Sequence, residues 1–133
     1  MYTKDFTVEI VTPIERKFEG TVQEIILPGV EGEMAVLAGH SPLLTMLATG
    51  VTVTVQGNER RVMSTGEGFA TIAENKVVCL VDFATDVKDL DFAAISAELE
   101  QVKAGLNASP GDAALRVKKS VLEGKMKAQS YGK

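Results

Sequence analysis

His40, the only histidine of the chain, is the one unperturbed side chain that could pass a proton near neutral pH. A Ser/His/Asp triad would have to use it. Its neighbour Ser41 precedes Pro42, and no Gly-x-Ser-x-Gly elbow occurs. A zinc site needs several His, Cys or acidic ligands at suitable spacing, and none cluster in the sequence. Glu31 and Glu33 could act as paired carboxylates. Two residues apart across Gly32, they read instead as a solvated turn or a contact point. Gly66-Glu67-Gly68 is too short for a phosphate loop, and the acid would repel a phosphate. Its spacing fits a bulge or turn entering the next strand. The single cysteine, Cys79, lies in an apolar run, cannot form an internal bridge, and reads as a small buried hydrophobe. Catalytic and metal-ligating residues are therefore expected to be absent.

Length and charge narrow the classes further. With 133 residues, the chain can hold one compact domain or a small domain with an appendage. The first residues lack the apolar core of a signal peptide, and no stretch reaches the length of a membrane span. A soluble, cytosolic protein is expected, held at any membrane only by a partner. The net charge of −4 is uneven: residues 1–84 are acidic and residues 85–133 slightly basic. The acidic part has no basic stripe and few aromatics, so nucleic acid is not expected as a partner.

The elements that must position these residues fall into two groups. Phe6, Val8 and Ile10 alternate with Thr7, Glu9 and Val11, the period of a half-buried strand ended by Pro13. A second strand is expected over 20–27, stopped by Pro28-Gly29. Residues 50–55 alternate strictly and return through a hairpin at 56–59 to a strand over 60–64. Residues 69–73 and 76–83 pair around Glu74-Asn75. Many short strands with frequent turns predict a sandwich. The period then changes. Phe92, Ile95, Leu99, Val102 and Leu106 form a helix face with a heptad-like seam. Residues 107–112 break that helix and offer Ser109 or Asp112 as the next N-cap, with Pro110 suited to a first helical position. Ala114, Val117, Val121, Gly124 and Ala128 then share a helical stripe, flanked by Leu115, Leu122 and Met126. The first helical segment is acidic and the second basic, which favours antiparallel pairing. The small residues of the second stripe predict a modest grip and a hairpin that can open. The expected fold is an N-terminal antiparallel β-sandwich, residues 1–84, followed by a C-terminal αα-hairpin, residues 85–133.

The run from Leu27 to Thr45 carries a more specific signal. It resembles the signature of the ε subunit family of the rotary ATP synthase, Leu-Pro-Gly-x-Glu-Gly-Glu-x-x-Val-Leu-x-Gly-His-x-Pro-Leu-Leu-Thr, without a gap. Residues 8–13, 18–22, 66–70 and 77–82 are similar to other strands of that family. The bacterial members are the most alike. The resemblance implies a rotor subunit without catalytic activity. Its sandwich would bind the γ subunit and rest on the c-subunit ring, coupling shaft to ring in a proton- or sodium-driven machine. Val30, Glu31, Gly32 and Glu33 match the turn that touches the ring, and His40 sits in the matching corner. The hairpin would permit turnover when folded down and block ATP hydrolysis when extended along γ. Arg116, Lys118, Lys119, Lys125 and Lys127 would then face acidic segments of the catalytic β and α subunits. The implied location is the cytoplasmic face of the bacterial plasma membrane, peripheral and through the complex.

Some members of that family bind ATP through Ile/Leu-Asp-x-x-Arg-Ala at the start of the first helix, with arginines on the second. Here Leu90 and Asp91 match, but Ala94 replaces the Arg and Ile95 the Ala. Losing that Arg removes a planar, permanently charged donor suited to phosphate. Arg116 is the only arginine left in the hairpin, so Asp91 and Arg116 are weak candidates and no cofactor is expected. Two other classes are compatible with the pattern. One is a stand-alone β-sandwich ligand-binding module whose seam from Phe92 to Leu106 pairs between chains. The other, a small hydrolase or isomerase, would depend on His40.

Overall fold

A computed structural model describes residues 4–131. Ten strands come first: β1 Phe6–Val11, β2 Arg16–Val22, β3 Glu24–Gly29, β4 Gly32–Leu37, β5 Leu43–Leu47, β6 Gly50–Gln56, β7 Glu59–Thr65, β8 Gly68–Ala73, β9 Lys76–Val81 and β10 Ala84–Asp86. A 3₁₀ turn, Val87–Asp89, leads to α1, Phe92–Ala108, and α2, Ala113–Tyr131. The strands run in the order β10-β7-β6-β3-β5-β8-β9-β1-β2, with β4 paired on β3. Every pairing is antiparallel except β1 with β9. The sheet curls on itself, so that Arg61 of β7 lies over the Phe18 ring of β2, 5.4 Å from its centroid.

Alternation fills the inside. Phe6, Val8, Ile10, Ile25, Leu27, Val36, Leu47, Ile72, Val77 and Cys79 point into one core. Each large apolar side chain buried there contributes about 1.5–3 kcal/mol. Burial in that core pushes the Cys79 thiol up to about 12, so it behaves as a hydrophobe. On the outer face, Glu9 accepts from Lys76 at 2.7 Å and pairs with Arg16 at 3.2 Å, tying β1 to both its neighbours. The Lys76 hydrogen bond, ahead of the Arg16 charge, holds the Glu9 carboxyl below its ordinary 4.5. Its contribution is present above that value and is lost as pH falls through the lowered one.

Three local expectations change. The strand expected over 20–27 is two strands. The chain leaves β1's edge at Gln23, whose N–H bonds Val55 O at 2.8 Å, so that Glu24–Ile26 can pair with β6. Pro28-Gly29 do not stop β3, because Pro28 needs no donor there and its carbonyl accepts from Ala48 at 2.8 Å. Of the two cap candidates, Asp112 caps α2, accepting from Leu115 N–H at 3.1 Å, while Ser109 closes α1 through Gly105 O at 2.9 Å. Pro110 lies outside either helix. The turn at Glu74-Asn75 has both residues at positive φ, as a two-residue hairpin turn requires.

The helices pack antiparallel. Ile95, Leu99, Val102 and Leu106 of α1 meet Leu115, Leu122 and Met126 of α2. The large flanking residues of α2 therefore make the seam, and the small-residue stripe does not. Val117 of that stripe faces solvent, and Ala128 seats on β6 and β7 against Val51, Val53 and Val62. Lys118 and Glu98 join the helices at 2.9 Å.

Gly68 of β8 is backed by the β9 backbone: a Cβ there would clash with Leu80 O. Backbone cannot yield as a side chain does, so Gly68→Ala is expected to cost about 3 kcal/mol in urea unfolding, the upper end of what overpacking usually costs. Gly111→Ala, with nothing within 4 Å, is expected to leave the midpoint almost unchanged.

Candidate functional site: the turn, the apolar strip and the docked hairpin

The β3–β4 connection is a two-residue turn. Gly29 and Gly32 are paired, leaving Val30 and Glu31 at the tip. Gly32 has φ +133°, which side chains rarely adopt, and a Cβ on Gly29 would stand 2.8 Å from Gly32 O. Glycine at both positions lets the strands close this tightly. The turn is pinned to β5 through Val30 N–H to Met46 O at 3.1 Å. Val30 is 61% exposed, and Glu31 and Glu33 face solvent beside it. An apolar tip flanked by two carboxylates is thus presented on a stiff backbone.

His40 does not join them. It follows the far end of β4, about 17 Å along the strand from Gly32. Its N–H bonds Leu37 O at 3.2 Å, and its Nδ1 donates to Ser41 O at 2.7 Å. Gly39, at φ +83°, donates to Asn75 Oδ1 at 2.9 Å, fastening this corner to the β8–β9 turn. The contact of His40 with Ser41 is to a carbonyl, which has no proton to give. Among the described residues, no group of three His, Cys, Asp or Glu is placed to hold a metal.

The hairpin residues are dispersed. Asp91 caps α1, its Oδ1 accepting from Ala94 N–H at 3.1 Å. Arg116 clamps the inter-helix loop, giving Nε and Nη2 to Pro110 O at 3.0 and 2.7 Å. Asp91 stands before the first residue of α1 and Arg116, on α2, holds the loop beyond its last, and the 17 residues of α1 span about 25 Å. The structure therefore does not bring the nucleotide candidates together. Lys118 pairs with Glu98, Lys125 lies over the Phe83 ring at 5.4 Å, and Lys127 over Tyr131 at 5.9 Å. Lys119 is half-buried without such a partner.

Two features escaped the sequence reading. The first is an apolar strip on the outer face of β5, β8 and β9. Met46, Phe69 and Leu80 are in register across three strands, with Leu44 beside them. Leu44 is 64% and Met46 56% exposed. The signal was the failure of alternation in Leu43-Leu44-Thr45-Met46-Leu47, which is apolar on both faces. The second is Tyr131. Its hydroxyl donates to Glu33 Oε2 at 2.7 Å, linking the end of α2 to the β3–β4 turn. A cleft of about 360 Å³ lies beneath, lined by Gly29, Glu33, Thr49, Glu123, Lys127 and Tyr131, among others.

Comparison with known proteins agrees with this architecture. Residues 5–87 match the family model described as ATP synthase, Delta/Epsilon chain, beta-sandwich domain. The ATP synthase epsilon chain of Afipia carboxidovorans is 38% identical over 109 residues, covering 80% of this chain and 79% of that one. One from a Bradyrhizobium species is 38% identical over 108 residues, covering 80% and 79%. A solved chain from the Euglena gracilis mitochondrial ATP synthase shares the fold with TM-score 0.82 at 22% identity, covering all of this chain and 84% of that one. Another, from the Tetrahymena thermophila enzyme, does so with TM-score 0.63 at 15% identity, covering 96% and 98%.

The Tyr131–Glu33 pair carries a titration signature. The hydrogen bond to Glu33, more than burial, raises the Tyr131 hydroxyl above its ordinary 10. This contact's contribution to docking is complete below pH 10 and is lost as pH rises through the raised value. Glu33→Gln is expected to bring the tyrosine back toward 10, read as tyrosinate absorbance during an alkaline titration.

Proposed function

The chain belongs to the delta/epsilon chain family of ATP synthase, and from that premise we propose that it is a non-catalytic central-stalk subunit. The observation that carries this reading is its alignment with curated epsilon chains over four fifths of both lengths. Residues 1–84, with β10 running on to Asp86, form the coupling part, and the helical remainder of residues 85–133 forms the regulatory part. The exposed strip of Leu44, Met46, Phe69 and Leu80 fits a γ subunit, because apolar area left in water is stabilised by covering it. The turn of Val30, Glu31, Gly32 and Glu33 faces the c-subunit ring. The pairing of Gly29 with Gly32 and the bond from Val30 N–H to Met46 O hold this turn in place, which suits a contact that must transmit torque. His40 braces the corner beside the strip. The complex, driven by protons or sodium ions, holds the chain at the cytoplasmic face of the bacterial plasma membrane.

Regulation belongs to the hairpin. Released from β6 and β7, it offers Arg116, Lys118, Lys119, Lys125 and Lys127 to acidic surfaces of the catalytic β and α subunits. A partner that favours one of two states by a few kcal/mol is enough to move such an element. The intrachain seam of Ile95, Leu99, Val102 and Leu106 already has its cover in α2, which weighs against a dimerisation module. ATP is not expected as a ligand, since Asp91 and Arg116 stand apart.

Titrating an αβγ catalytic head with the full chain should lower ATP hydrolysis several-fold. A chain ending at Asp89, which keeps β10, should bind γ without inhibiting. Equal inhibition by both would remove the brake from the hairpin. Failure of both to bind γ would overturn the rotor assignment.

A further inference from the structure

The end of α2 and the β3–β4 turn meet at one acceptor. Glu33 Oε2 takes the Tyr131 hydroxyl across 98 positions of sequence. Glu33 and Glu31 are exposed and stand on either side of Gly32, so the turn presents negative charge to whatever covers it. Lys127 lies over the Tyr131 ring and lines the same cleft, which places the tyrosine between the turn and the helix's own cation. Apart from this bond, α2 rests on the sandwich through Ala128 and the Tyr131 ring against the Val51, Val53 and Val62 cluster, and through the Gly124 backbone beside Thr49 and Gly50, with Lys125 over Phe83. Gly124 and Ala128 bury little area, and the bond to Glu33 fixes the one large ring of α2 in this cluster, so this charge-assisted bond is a sizeable share of the seat.

We propose that Glu33 is a shared acceptor: a cationic group docking on the β3–β4 turn takes Glu33 from Tyr131 and loosens the hairpin. This rests on the reading of that turn as the ring-facing surface, and it adds a link between ring engagement and hairpin release. Linkage is reciprocal, so a released hairpin leaves Glu33 free and strengthens the turn's hold on its partner by the same factor.

The test uses the full chain carrying spin labels at Asn58→Cys and Gln129→Cys, with buried Cys79 left in place. The fraction of molecules with the long label distance reports the open hairpin. Tyr131→Phe keeps the ring and should raise the open-to-closed ratio about fivefold. Adding Glu33→Gln to Tyr131→Phe should change nothing more. An unchanged ratio in Tyr131→Phe, or additive effects of the two substitutions, overturns the shared acceptor. Purified γ–c-ring rotor is then added. The unsubstituted sequence should open further, Tyr131→Phe should not, and Tyr131→Phe should bind the rotor about fivefold more tightly. Equal affinities despite rotor binding overturn the link and leave the rotor assignment standing. Failure of both to bind the rotor overturns the assignment and the link together.

Discussion

Gly124 and Ala128 decide how α2 lies on the sandwich. A Cβ on Gly124 would already touch Thr49 and Gly50 at 3.6–3.7 Å, and Ala128 is fully buried against Val51, Val53 and Val62. The helix can approach this closely only because those positions carry almost no side chain. The same smallness limits what the contact contributes, since apolar stabilisation scales with area at about 25 cal/mol per Å². The seam between the helices is of another kind: Leu99, Val102 and Leu122 are large and buried, with Ile95, Leu106, Leu115 and Met126 around them. The hairpin is therefore bound more firmly to itself than to the strands beneath, as the proposed release of the hairpin as a unit requires.

The sandwich supplies the opposite property. Its β3–β4, β4–β5, β6–β7 and β8–β9 turns are closed with positive-φ residues, and Glu9 ties β1 to β2 and β9 on the outside. Such a body keeps the spacing between the Val30–Glu31 tip and the strip of Leu44, Met46, Phe69 and Leu80. Under the function we propose, a coupling part needs that rigidity and a regulatory part needs a shallow seat. The chain separates the two requirements between its halves, with Tyr131 and Glu33 as the bond that crosses from one to the other.

Much of this was legible in the residues. The alternation of Phe6, Val8 and Ile10, the turn at Glu74-Asn75 and the 3,4 spacing of Ile95, Leu99 and Val102 each report a local period that burial enforces. The glycine and proline pattern of residues 27–45 led to the family. What was not legible depends on partners far away in sequence. The break at Gln23 exists because β3 must reach β6. The parallel pairing of β1 with β9 has no local signature. The α2 stripe was misread because two faces of that helix are apolar, and only the packed structure distinguishes the face on α1 from the face on the sandwich. Tyr131 reaches Glu33 across most of the chain, and no periodicity could have announced it.

Native-state hydrogen exchange on the isolated full chain resolves cooperative units within a folded molecule, and so separates a hairpin that opens alone from one that opens with the sandwich. Seated α2 amides near Ala128 should exchange through an opening that leaves Val53 and Val62 protected, well below the global unfolding free energy. A single shared opening for α2 and the β6–β7 core would contradict it, because the hairpin would then be part of the sandwich's own fold.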